Sequence, residues 1–147
     1  MDPVLALLRD LVAIDSVNPS LVAGGRGEGD MAAALAEACR RIGLDVTVSE
    51  AAPGRPNVVA VLEGRAPGRT LMFCGHTDTV GVEGMTAPFS PREAGGRLYG
   101  RGAQDMKGGL AAMLDAARVL AARGGLVRGR LVLACVADEE HASLGAE

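Results

Sequence analysis

Aromatic side chains are almost absent from this chain: only Phe73, Phe89 and Tyr99 are aromatic among 147 residues, and there is no tryptophan. The formal net charge is −3, and no cluster of lysine and arginine forms a basic stripe. Nucleic-acid binding depends on cations that neutralise phosphates and on rings that stack against bases. The composition therefore argues against a nucleic-acid partner.

Long apolar runs are also absent. No stretch approaches the roughly 20 residues that a transmembrane helix needs. The first apolar segment is flanked by Asp2 and Asp10, whereas a signal peptide begins with positive charge. We therefore expect a cytoplasmic protein without a membrane partner. Hydrophobic residues make up 48% of the chain, which predicts a folded domain with its own core.

Cysteine is scarce and odd in number, and no CxxC spacing occurs. Cys39, Cys74 and Cys135 each lie in an apolar or helical context. This pattern predicts buried thiols in a reducing compartment. Cys74 could alternatively pair with His76 on a metal, but no second cysteine is spaced to complete such a site.

Helical and extended patterns alternate along the chain. Helices are predicted from the Asp2-Pro3 start, from Asp30 to the stop at Gly43, and over 106–122. Strands are predicted at 44–48, 57–62, 70–74 and 130–137, the last one buried on both faces. This order predicts an α/β fold, a three-layer αβα sandwich with a mixed, partly parallel sheet that is incomplete at the C-terminus. The glycine-rich segment 15–29 is predicted to be a mobile surface loop, and 85–99 an irregular loop with a hairpin.

Three acidic segments coincide with the ends of these elements. His76 and Asp78 follow one predicted strand, and Glu139 and Glu140 follow another. Asp105 stands at the predicted start of the third helix. Loops at the ends of parallel strands gather ligands in α/β domains. So many carboxylates in one place would repel one another unless a cation joined them.

Each segment also has an ordinary interpretation. His76 and Asp78 could be a hydrogen-bonded pair at a strand end, Asp105 could be a helix N-cap, and the adjacent glutamates could form a solvated turn. Lys107 is expected to face solvent or to act as a supporting charge. Adjacent residues of an extended chain point in opposite directions, so one glutamate could ligate a cation while the other reaches a water.

Together the segments favour a metal-dependent hydrolase. Carboxylates with one imidazole suit zinc, cobalt or manganese. Two ions that share a carboxylate would acidify a water, and Glu139 could pass its proton to the leaving amine. A phosphate-binding domain is disfavoured, because Gly108-Gly109 follows Lys107 instead of preceding it.

Three longer segments carry a family resemblance: Gly75-His-Thr-Asp-Thr-Val80, Leu98-Tyr-Gly-Arg-Gly-Ala-Gln-Asp-Met-Lys-Gly-Gly109 and Ala137-Asp-Glu-Glu-His-Ala-Ser-Leu-Gly-Ala146. In order and spacing they resemble the acetylornithine deacetylase, succinyl-diaminopimelate desuccinylase and aminoacylase family of dizinc amidohydrolases and exopeptidases. The resemblance covers essentially the whole chain.

The resemblance implies a role for each acidic position. His76 and Glu140 would each bind one of two divalent ions, most simply zinc, with cobalt or manganese possible. Asp105 would bridge both ions, Glu139 would be the general base, and Asp78 would orient His76. The family also has a cis peptide bond after the bridging aspartate, here between Asp105 and Met106.

The sequence departs from the family in what it lacks. Family members carry an inserted dimerisation domain, a further acidic ligand downstream and a late histidine, and this chain offers none of them. We therefore expect residues 1–147 to be the N-terminal part of a catalytic domain whose full-length parent is a homodimer. The expected activity is hydrolysis of an amide bond in an N-acyl amino acid. A dizinc exopeptidase acting on a short peptide and an inactive metal-binding fragment are the alternatives.

Overall fold

A computed structural model describes residues 2–146. Within this range the chain forms three helices and six strands, with a short π-helical turn at Ala103–Lys107 and a 3₁₀ turn at Leu144–Ala146. In chain order they are α1 (Pro3–Val12), α2 (Gly29–Arg41), β1 (Asp45–Ala52), β2 (Arg55–Glu63), β3 (Thr70–His76), β4 (Arg92–Ala94), β5 (Arg97–Tyr99), α3 (Gly108–Ala122) and β6 (Arg130–Val136). No helix within 2–146 is both long and apolar enough to cross a membrane.

Local sequence signals fix the helix ends. The Asp2 carboxylate accepts a hydrogen bond from the Val4 amide at 3.0 Å, and proline occupies the first turn of α1, as predicted. Helix α2 begins at Gly29 with Glu28 at the cap position, so the prediction that Asp30 caps this helix is wrong. Asp30 lies in the first turn instead, where its charge still favours the helix dipole.

The main sheet has the strand order β1-β2-β6-β3. Strands β1, β2 and β6 pair antiparallel, while β3 and β6 are parallel, with His76 opposite Val136. The predicted mixed sheet is confirmed. Because two parallel strands end at the same edge, the residues that follow β3 and β6 are brought together there.

The core lies on one face of this sheet. Leu131, Leu133 and Cys135 of β6 pack with alternate residues of β2 against the three helices. On the opposite face Met72 is 57% exposed, and Cys74 is also exposed. The prediction that Cys74 is buried is therefore wrong. Cys39 and Cys135 are buried, as predicted. The α/β class is confirmed, and residues 2–146 supply two of its three predicted layers.

The segment that precedes α2 is packed into the protein. Ser16, Asn18 and Glu28 are fully buried, and Val17 forms a parallel bridge with Thr79. The prediction of a mobile surface loop at 15–29 is therefore wrong for these positions. The predicted hairpin is confirmed by the pairing of β4 with β5.

Candidate metal centre

His76 ends strand β3 and is only 5% exposed. Its Nδ1 lies 3.0 Å from the main-chain oxygen of Asp78 and 3.4 Å from Oδ1 of the same residue. The sequence predicted the carboxylate contact, which is the longer of the two. Either acceptor places the Nδ1 proton toward Asp78, so Nε2 faces the sheet edge as a potential ligand atom.

The imidazole is surrounded by acceptors. Burial alone would lower the pKa of His76, but hydrogen bonds to Asp78 and Asp105 and the charge of Asp78 outweigh it and raise the pKa to about 9. Without a metal, both ring nitrogens of His76 are therefore protonated at neutral pH. A metal ion at Nε2 must displace the proton of that nitrogen.

Glu139 and Glu140 lie in a turn directly after β6. Their amide groups donate to the two oxygens of Asp78, each at 3.1 Å. Potential ligand atoms of His76, Glu139 and Glu140 lie within 4.8 Å of one another. The expectation that the two glutamates point in opposite directions is wrong, because a tight turn follows Val136 instead of extended chain.

Asp105 lies in the turn between Gly102 and α3. Its backbone is extended (φ −123°, ψ 102°). The predicted third helix is confirmed and ends at Ala122 as expected, but it begins at Gly108, two residues later than predicted. The peptide bond between Asp105 and Met106 is cis, as the resemblance implied. A Cβ at Gly75 would lie 2.7 Å from the terminal methyl group of Met106, so the Met106 side chain packs directly against this position of β3.

The Asp105 carboxylate completes the cluster. Its Oδ1 lies 3.0 Å from Nε2 of His76, and Oε2 of Glu139 lies 3.7 Å from the same nitrogen. Burial and the nearby charge of Asp105 raise the pKa of Glu140. One imidazole and three carboxylates thus converge at one edge. This donor set, with its mutual repulsion, fits a divalent ion such as zinc, cobalt or manganese.

Comparison with known proteins agrees with this site. The model of Peptidase family M20/M25/M40 matches residues 72–147, which contain all the converging residues. The chain belongs to this family. One curated relative is a succinyl-diaminopimelate desuccinylase of Gluconacetobacter diazotrophicus, which is 41% identical over 94% of this chain and 35% of the relative. Another is an acetylornithine deacetylase of Photorhabdus laumondii, which is 34% identical over 99% of this chain and 38% of the relative. The M20 chain thus spans about a third of the length of the curated relatives it matches.

Solved structures of the family share the fold. The metallo-carboxypeptidase Sso-CP2 of Sulfolobus solfataricus superimposes with a TM-score of 0.81 at 29% identity, covering 95% of the M20 chain and 32% of that protein. Human carnosine dipeptidase 1 superimposes with a TM-score of 0.79 at 25% identity, covering 98% of the M20 chain and 33% of the dipeptidase.

Asp78 connects the candidate metal edge, the sheet edge where His76, Asp105, Glu139 and Glu140 converge, to the protein interior. The residue is 1% exposed, and its Oδ2 accepts from Nδ2 of Asn18 at 2.7 Å. Burial would raise the pKa of Asp78, but hydrogen bonds from His76, Asn18 and the two glutamate amides lower it. The carboxylate therefore stays ionised while it supports the turn above it.

Four buried residues near Asp78 escaped the sequence analysis: Asn18, Glu28, Arg55 and Asp138. Asp138 was visible only as the neighbour of the Glu139-Glu140 pair. Asn18 and Glu28 fell within segment 15–29, which was predicted to be a surface loop. Nothing local distinguishes Glu28 and Arg55, because their contacts lie far along the chain.

Lys107 does not face solvent, which was one of its two predicted positions. It is 1% exposed, and its Nζ donates to the main-chain oxygen of Ile14 at 2.6 Å. Burial lowers the pKa of Lys107 to about 8, although the charge of Asp15 opposes this effect. The ammonium group thus ties the Asp105 turn to the C-terminal end of α1, where a positive charge is favourable.

Replacing Lys107 with methionine is expected to lower the free energy of unfolding by about 1–3 kcal/mol, because the carbonyl of Ile14 loses its charged partner. Urea denaturation followed by circular dichroism measures this change. Arg26→Met is the control, since the Arg26 side chain is 65% exposed. Equal stability of the Lys107→Met variant and the unchanged protein would contradict the assigned tether.

Proposed function

We propose that this chain is the N-terminal part of the metal-dependent catalytic domain of a hydrolase that cleaves an amide bond in N-acyl amino acids. The observation that carries the proposal is the convergence of His76, Asp105, Glu139 and Glu140 at one sheet edge. The desuccinylase and deacetylase names of the curated relatives favour this substrate class.

In this proposal His76 and Glu140 would each hold one divalent ion, and the Asp105 carboxylate would be shared between the two ions. Oδ1 of Asp105 lies beside Nε2 of His76, and the Asp105 side chain is 72% exposed. The carboxylate is therefore accessible for that role. Two bound ions, most simply zinc, would polarise the amide carbonyl and acidify the attacking water. Asp78 accepts a hydrogen bond from Nδ1 of His76 through its main-chain oxygen, with its carboxylate close by, and so would keep Nε2 directed at the ion.

Glu139 is the proposed general base. Its side chain is 53% exposed and reaches to 3.7 Å from Nε2 of His76, so it borders the cluster while remaining open to substrate. Its carboxylate removes a proton from the attacking water and delivers it to the amine nitrogen as the carbon–nitrogen bond breaks. The anchored amide of Glu139 limits how far this carboxylate can move.

The remaining parts of the catalytic protein lie outside these residues in this proposal. The curated relatives are about three times as long as the matched region. The missing portion would provide a dimerisation domain, a further acidic ligand and a late histidine. We propose that the full-length parent is a cytoplasmic homodimer, and that the 147-residue chain binds metal without sustained turnover.

Exopeptidase activity is the second candidate. Carboxypeptidase and dipeptidase structures share the fold at 29% and 25% identity. A peptidase would use the same cluster on the amide bond of a short peptide. Parallel assays with N-acetyl and N-succinyl amino acids and with dipeptides separate the two candidates.

The decisive test replaces Glu139 with glutamine in a protein that extends this sequence to the length of its relatives. We expect hydrolysis of the best substrate to fall by about 100-fold or more, because proton transfer is lost, while zinc content stays unchanged. Glu37→Gln, on the exposed surface of α2, is the control. Undiminished hydrolysis by the Glu139→Gln variant would refute the assignment of the base. Failure of the unchanged protein to bind zinc would refute the whole proposal.

A further inference from the structure

Two buried carboxylates lie beneath the metal edge, one after each parallel strand. The side chains of Asp78 and Asp138 are both completely buried. Nδ2 of Asn18 donates to Oδ2 of Asp78 at 2.7 Å and to Oδ1 of Asp138 at 3.0 Å. The two protons of one amide group thus join two negative charges that would otherwise repel each other.

An ion pair fixes the Asp138 side of this bridge. The guanidinium of Arg55 binds Glu28 through two bonds of 2.6 Å each, and its Nη2 also donates to Oδ1 of Asp138 at 2.9 Å. Oε1 of Glu28 in turn accepts from the amide of Asp138 at 3.1 Å. Two-point arginine–carboxylate contacts fix orientation as well as distance. Asp138 is therefore held through its side chain and its backbone.

The same two aspartates determine the path of the acidic turn. Asp138 has a φ of +66°, and its Oδ2 accepts from the amide of Ala142 at 3.2 Å. Asp78 binds the amides of Glu139 and Glu140. The position of both glutamate carboxylates relative to His76 thus depends on the distance between two aspartates that Asn18 connects.

We propose that Asn18 is a positioning residue for the metal centre, and that the Arg55–Glu28 pair supports it by fixing Asp138. This inference rests on the proposed metal-dependent function and extends it to residues outside the three acidic segments. Asn18 does not touch the converging ligand atoms; it acts through Asp78 and Asp138. Its effect should therefore appear as altered metal geometry and affinity.

The competing explanation is that this network only stabilises the fold. Asn18→Asp separates the two ideas, because aspartate has nearly the same shape. Oδ1 of residue 18 can still accept from the amide of Ser20, a contact of 2.8 Å in the unchanged protein. The two donor protons are lost, however, and a third carboxylate is placed between Asp78 and Asp138.

Cobalt(II) titration of the 147-residue protein is the first measurement. We expect Asn18→Asp to weaken cobalt binding by about 10–100-fold, the range typical of residues that orient metal ligands, and to change the visible absorption of bound cobalt. Leu114→Ala is the stability-matched control, because Leu114 is a core residue of α3 with 2% exposure. It should lower the melting temperature while leaving cobalt affinity and spectrum unchanged.

Amide hydrogen exchange of the metal-free protein is the second measurement. The Glu139 and Glu140 amides should exchange faster in Asn18→Asp than in the Leu114→Ala control, because their acceptor Asp78 is displaced. If the unchanged protein binds no cobalt, the proposed function fails, whereas this exchange comparison still tests the positioning role by itself.

Arg55→Lys is the second variant, and it decides the question if Asn18→Asp does not fold. Lysine keeps the charge but cannot bind Glu28 at two points while also reaching Asp138. We expect Arg55→Lys to weaken cobalt binding less than the loss predicted for Asn18→Asp. The visible absorption of bound cobalt should change in the direction predicted for Asn18→Asp. Wild-type affinity, spectrum and amide protection in the folded variants would overturn the proposal.

Discussion

His76→Asn is expected to weaken zinc or cobalt binding by more than about 100-fold, because loss of a ligand should exceed the roughly 10–100-fold cost of losing a residue that orients one. Nε2 of His76 is the nitrogen to which the carboxylates of Asp105 and Glu139 come close. Asparagine can still occupy the buried position and donate toward the main-chain oxygen of Asp78. The substitution therefore removes the ligand atom with little change in local packing.

Competition with a coloured chelator measures this loss of affinity. His141→Asn is the matched control, because His141 is the only other histidine of the chain and its side chain is 48% exposed. Its Nδ1 lies 3.9 Å from Oδ2 of Asp138, and it is not among the group of potential ligands formed by His76, Glu139 and Glu140. Equal losses in the two variants would show that the metal is not bound at the predicted edge.

Metal affinity is expected to rise steeply with pH and then level off near pH 9. The pKa of His76 is raised to about 9, so below that pH the ion that binds His76 must displace a proton from the ring. One displaced proton predicts a rise of about tenfold per pH unit well below the pKa, or about 50-fold between pH 7 and pH 9. Above the pKa the ring is already neutral, and further base gives no gain.

The sign of this effect follows from which form binds the ion. Raising the pKa of His76 stabilises the protonated ring, and only the neutral ring can donate its Nε2 lone pair to a metal. Chelator competition at a series of pH values, corrected for protonation of the chelator, gives the slope. An affinity that is flat between pH 7 and pH 9 would show that His76 is not a ligand or that its ring is already neutral.

Apolar patterning predicted the elements that carry the site. Leu131–Cys135 form five consecutive buried residues of β6, as their continuous apolar run indicated. The run before His76 likewise became β3, and the parallel pairing of these strands joined the first and third acidic segments. Such agreement is expected where the burial of a strand is the main determinant of its sequence.

The buried polar network was beyond the reach of that reasoning. Arg55 binds Glu28 and Asp138, which lie 27 and 83 positions away along the chain. The periodicity of apolar residues carries no information on such distant pairs. Asp105 was misplaced at a helix start because its local spacing resembles a cap, whereas the extended turn is set by contacts with β3 and α1. Buried charges at Arg55 and Lys107 run against the usual exposure of these side chains, so only the fold reveals them.

The burial of Lys107 affects how the protein can be labelled, because it is the single lysine of the chain. Its ammonium group is enclosed beside the ring of Phe89, at 5.8 Å from the ring centroid, and is bound to Ile14. Reagents that acylate primary amines therefore find no exposed lysine side chain on the folded residues 2–146.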